Sequence, residues 1–91
     1  MMRNPATYDM YGQKVKAKQI CMLEGFQIAE WCNGKYVPVT RKDGIRCLGL
    51  VLRGQIGYTA DWVVNTHDDT FMVMDELEFR THAELVRDSY E

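Results

Sequence analysis

Apolar and polar side chains alternate from Lys14 to Lys18, placing Val15 and Ala17 on one face and three lysines on the other. That two-residue period belongs to a half-buried strand. The period then lengthens: Ile28, Trp31 and Cys32 recur at helical spacing after Glu24-Gly25-Phe26. Asn33-Gly34 predicts the end of this short helix, with glycine in the left-handed cap. Two apolar runs follow, Lys35 to Thr40 and Ile45 to Leu52, joined by Arg41-Lys42-Asp43-Gly44. Asp-Gly between such runs is a strong hairpin signal. Pro38 assigns the first run to a sheet edge, because proline brings no N–H to an inner ladder. Arg53-Gly54-Gln55 turns the chain into Ile56-Gly57-Tyr58, Asp61 to Val64 reads as a strand, and Phe71 to Met74 returns as its partner across a polar turn. Asp75 and Glu78 have capping-box spacing, and Phe79, Ala83, Val86 and Tyr90 continue at helical intervals. Residues 1–13 carry no clear period and are expected to be an arm or loop. These elements predict one α+β domain over residues 1–91, a small mostly antiparallel sheet of about five to six short strands with two helices.

Composition supports a folded chain: 46% apolar and 26% charged residues lie within the globular range. At 91 residues there is room for a single core of modest stability, so burial between copies is expected, as a homo-oligomer. Cys21, Cys32 and Cys47 are odd in number and lack Cys-x-x-Cys spacing, which specifies neither a disulfide framework nor a zinc site. The start lacks the apolar core of a secretion signal, and no apolar stretch approaches the roughly 20 residues of a membrane span. A cytoplasmic protein without membrane contact is expected. Charge is segregated: residues 1–60 carry nine Lys/Arg against four Asp/Glu, residues 61–91 two against nine. The first region suits an anionic ligand, and the second repels one.

Reactive constellations are scarce. His67-Asp68-Asp69 are adjacent on a turn and point apart, so they read as a solvated turn and not a metal or acid/base cluster. His82 reads as an ordinary packing or surface histidine, and Trp31 and Trp62 as core residues. Gly49, Gly54 and Gly57 fall in and between strands, not before a helix, so no phosphate loop is formed. No catalytic residue, metal or cofactor is assigned. The candidate ligand-binding set is Lys14, Lys16, Arg46 and Arg53 for phosphate, with Tyr36 or Tyr58 stacking a base.

The chain resembles short proteins encoded by tailed bacteriophages. Val15, Ala17 and Gln19 match their opening Val-x-Ala-x-Gln strand; Ile28-Ala29-Glu30-Trp31-Cys32-Asn33-Gly34 matches a helix ending Ile-Ala-Glu-Trp-Cys-Gly-Gly; Asp61-Trp62-Val63-Val64, Phe71 and Phe79 match the rest. Ala60, Asn33 and Thr70 stand where the resembled proteins carry glycine. The resemblance implies a phage origin and an α+β domain, and carries no activity or functional residue. Small phage proteins of this kind often act on host defences by binding. The expectation is therefore a non-enzymatic accessory protein of the host cytoplasm, with an anti-defence role, sequestering a small anionic ligand such as a nucleotide immune signal, without direct nucleic-acid binding. The alternatives are an inhibitor that binds a host defence protein through its acidic C-terminal helix, and a minor virion component.

Overall fold

A computed structural model describes residues 4–67 and 70–86. It is the α+β architecture that the pattern predicts, with eight strands in two antiparallel sheets and two short helices. Within the expected arm a strand forms from Ala6 onward. Ala6–Met10 forms strand β1, hairpinned to β2 (Gln13–Gln19) through Tyr11 and Gly12, both at positive φ. Two consecutive left-handed residues match the twist of the flanking strands, which is why a two-residue turn closes here. A 3₁₀ turn, Met22–Glu24, leads into helix α1 (Gly25–Cys32). Its left-handed cap is Asn33 at φ 61, one residue before the expected glycine, and the Gly34 N–H closes the cap on Ala29 O at 2.8 Å. Asparagine tolerates that region better than most side chains.

Strands β3 (Lys35–Thr40), β4 (Arg46–Leu52) and β5 (Gln55–Gly57) form the smaller sheet, with Pro38 on its edge strand as expected. Its first turn is the anticipated Asp-Gly hairpin: the Ile45 N–H donates to Asp43 Oδ1 at 3.1 Å, and Gly44 takes φ +87. The larger sheet runs β7-β6-β2-β1-β8, where β6 is Trp62–His67, β7 Thr70–Met74 and β8 Ala83–Leu85. Between β7 and β8 lies helix α2 (Glu76–His82), capped as its spacing predicts by Asp75, whose side chain accepts from the Glu78 N–H at 2.8 Å. The expected helical stripe stops at His82, because Ala83–Leu85 pairs with β1 and the Val86 N–H donates to Thr7 O. An unpaired edge of β1 outcompetes a further helical turn. The His67-Asp68-Asp69 cluster lies outside the described residues apart from the backbone of His67, as does Tyr90.

Both faces of the larger sheet carry core. On one face Val15, Ala17, Trp62, Val64 and Met74 pack with Met10 and with Phe79 of α2. On the other, Val63 joins Ile20, Ile28, Cys32, Tyr36, Leu50 and Leu52, so that α1 and the smaller sheet cover it. Alternation along β6 therefore feeds two cores, because successive side chains point to opposite faces. Trp62 is buried as expected, and Trp31 packs edge-on to Phe71 with ring centroids 5.0 Å apart.

Candidate functional site

The predicted basic face is present, and each of its three lysines has a side-chain partner, an acid for Lys14 and Lys18 and a neutral hydroxyl for Lys16. Lys14 pairs with Asp9 at 3.2 Å, Lys16 Nζ donates to Thr7 Oγ1 at 2.8 Å, and Lys18 pairs with Glu24 at 2.8 Å. The partners of Lys14 and Lys16 come from β1, and such exposed pairs contribute only about 0–1 kcal/mol each. Arg46 opens β4 and Arg53 follows its last residue, Leu52, so the strand of roughly 20 Å at about 3.3 Å per residue separates them. Those two cannot grip one phosphate within a single chain. Tyr36 is 6% exposed, its ring set edge-on against Phe26 at 5.1 Å, so its faces are not open for stacking.

Tyr58 alone of the six lies in a polar cleft. Two turns build it. Residues 41–44 supply Arg41, Lys42 and Asp43; the segment after β5 supplies Tyr58, Thr59 and Asp61, and together they line a concavity of about 440 Å³. The second turn is held from several sides: Asp61 Oδ2 accepts from the Tyr58 N–H at 2.8 Å, the Ala60 N–H donates to Ile20 O at 2.9 Å, and Gln19 Nε2 donates to Ala60 O at 3.0 Å. These bonds fix Ala60 at φ +84, a region that glycine enters without strain. The Arg41 guanidinium sits 6.0 Å from the Tyr58 ring centroid and 3.3 Å from Asp43 Oδ2. Both acids of the cleft are thus occupied by turn N–H groups, and Asp43 also takes the arginine. Arg41 and Lys42 supply donors for an anion, and Tyr58 supplies an aromatic face. Arg41 and Lys42 escaped the sequence reading because an Asp-Gly hairpin accounts for them as turn residues. The proximity of Tyr58 depends on a clamp from β2, across about forty residues of chain.

Thr59 also lines an apolar hollow of about 170 Å³, together with Met22, Tyr36, Cys47 and Leu48. The Tyr36 hydroxyl is buried and has no hydrogen-bond partner among the described residues. Burial pushes its pKa above the usual phenol value, and the thiols of Cys21 and Cys47 add to the rise, so the group is a neutral donor at physiological pH.

A third region is aromatic. Trp62 stacks on Phe79 with centroids 3.9 Å apart, and Tyr8 meets both rings edge-on. Two hollows of about 380 and 330 Å³ flank this cluster and share Tyr8, Gln19 and Trp62. Glu76 secures it: its Oε1 accepts from Trp62 Nε1 at 3.2 Å and from Gln19 Nε2, while Oε2 pairs with Arg80 at 3.1 Å. The Arg80 bond, then the Trp62 bond, draw the Glu76 carboxyl below the usual carboxylate range. A carboxylate so depressed stabilises the fold above its unfolded pKa of about 4.3, and the contribution disappears as pH falls through the lower folded value. Glu76→Gln is expected to melt below the parent at pH 7, with the gap closing below about pH 4. Thermal melts across pH 3–7 check this, and a gap independent of pH would contradict it.

Of the C-terminal acids among the described residues, Glu76 and Glu78 stand in the first turn of α2, Glu76 turned toward Trp62 and Gln19, while Glu84 lies on β8 opposite Asp9 and not on the helix. Among the described residues no cluster of His, Cys, Asp and Glu is arranged to hold a metal ion, and no helix is long and apolar enough to cross a membrane. No protein-family model matches the chain, and no curated protein or solved structure is detectably similar to it.

Proposed function

We propose that the protein binds a small anionic ligand, of the nucleotide class, in the cleft between residues 41–44 and 58–61, and that binding itself is its function. The observation that carries the reading is the Arg41 guanidinium held between Asp43 and the Tyr58 ring at a concavity that also contains Lys42. The guanidinium is oriented toward the concavity by these contacts, and its planar fork suits phosphate. The phosphate donors are accordingly Arg41 and Lys42 in place of Lys14, Lys16, Arg46 and Arg53, with Tyr58 kept as the aromatic partner. In the biological setting suggested by the sequence resemblance, such a protein withdraws a nucleotide signal from a bacterial host during phage infection.

Calorimetric titration with linear and cyclic nucleotides tests the reading. Arg41→Ala should weaken binding about tenfold, the loss of one charge-assisted hydrogen bond, and raised salt should weaken the parent as well. Absence of heat for every nucleotide would overturn the proposal. Sedimentation of the same samples shows whether the binding unit is one chain or the oligomer that its short length favours.

A further inference from the structure

The hollow beside the cleft has a feature that the fold does not explain. Buried hydroxyls almost always find a partner, yet Tyr36 is 6% exposed and its oxygen has none among the described residues. The position is not an accident of a loose surface. Gly25 lies so close that a Cβ there would come within 2.3 Å of the ring, and Phe26 closes on another side. Tyrosine is therefore held firmly where phenylalanine would pack as well. The surrounding wall is apolar on Met22 and Leu48, and Thr59 is shared with the Arg41 cleft. The hollow adjoins the cleft at Thr59, and small-ligand sites combine apolar walls with a few aimed polar groups in this way.

Resting on the anion-binding reading above, we infer that the ligand is a nucleotide whose base enters the hollow lined by Met22, Tyr36, Cys47, Leu48 and Thr59 and accepts a hydrogen bond from the Tyr36 hydroxyl. Tyr36 and Met22 each have a matching partner on a base. Ring nitrogens and carbonyl oxygens accept the phenol proton, and the Met22 thioether lies well against an aromatic surface. Met22 is 73% exposed, so it can shift as the base enters. A saturated chain would fill the same space but leave the hydroxyl unpaired. Thr59, at the junction, is placed for the sugar that joins base to phosphate.

The test compares nucleoside 5′-monophosphates, ribose 5-phosphate and butyl phosphate by calorimetry on the parent, Tyr36→Phe and Met22→Ala. At least one nucleotide is expected to bind tenfold or more tighter than ribose 5-phosphate. Tyr36→Phe should remove about tenfold of that advantage and leave ribose 5-phosphate affinity unchanged. It should also melt no lower than the parent, because the hydroxyl makes no bond within the fold. Met22→Ala, at an exposed position, should weaken nucleotides severalfold without affecting ribose 5-phosphate. If ribose 5-phosphate or butyl phosphate binds as tightly as every nucleotide, or if Tyr36→Phe leaves nucleotide affinity unchanged, the base pocket is wrong while the anion cleft stands. If none of the phosphates binds, both readings fall.

Discussion

Trp62→Ala is expected to lose about 3–5 kcal/mol of stability, the range for removing a buried aromatic side chain. Trp62 is 7% exposed, stacks on Phe79, meets Tyr8 edge-on, and donates its indole N–H to Glu76. Its backbone pairs with Gln19 on one side and Met74 on the other, so the cavity would open between three strands and α2. Domains are stable by only about 5–15 kcal/mol, and short ones lie near the lower end. The loss therefore leaves little. With a urea slope of about 1–3 kcal/mol per M, the midpoint should fall by more than about 1 M. Trp62→Phe keeps an aromatic ring against Phe79 while losing the indole N–H and part of the packing, so its loss should be smaller. A midpoint for Trp62→Ala within about 0.3 M of the parent at such slopes would show that this cluster is not the core of the larger sheet.

What could be read from the chain was what neighbouring residues decide. The Asp43-Gly44 turn, the Asp75 cap on Glu78, the alternation of β2 and the edge position of Pro38 each follow from chemistry within a few residues, and each is present. The elements that escaped are β1 and β8, and they escaped together. β1 is announced only by Tyr11-Gly12, a turn whose left-handed pair has no Asn or Asp to signal it. Without β1 there is no edge for Ala83–Leu85 to join, and the helical spacing of Phe79, Ala83 and Val86 reads as one continuous helix. The shift of the candidate site from β2 to the turns has the same origin. Asp9 and Thr7 partner Lys14 and Lys16 from the overlooked strand, so lysines that look free in sequence have local contacts across the sheet. Tyr58 was found as an aromatic near basic residues, whereas its actual neighbour Arg41 is set by the long-range clamp of Ile20 and Gln19 on residues 60–61.

Gly25→Ala exposes how closely fold and site are joined. Gly25 has helical geometry, φ −56, where alanine is intrinsically better by up to about 1 kcal/mol. On propensity alone the substitution should stabilise α1. The added Cβ, however, would stand 2.3 to 2.7 Å from Cε2, Cζ and Cδ2 of Tyr36, against roughly 3.5–4.0 Å for carbon atoms in contact. The ring would have to retreat by about 1 Å with Phe26 edge-on to it, and overpacking of this kind costs roughly 1–3 kcal/mol. Sterics should therefore exceed propensity by about 1 kcal/mol, a fall in melting temperature of roughly 4–8 °C for a domain of this size. The crowded atoms include Cζ, which bears the hydroxyl, so any relief displaces the donor from the hollow and nucleotide affinity should fall with stability. Tyr36→Phe separates the two effects, because it removes the donor and leaves the ring in place. A Gly25→Ala protein that melts above its parent would mean that propensity governs, and that the ring of Tyr36 is not held against α1.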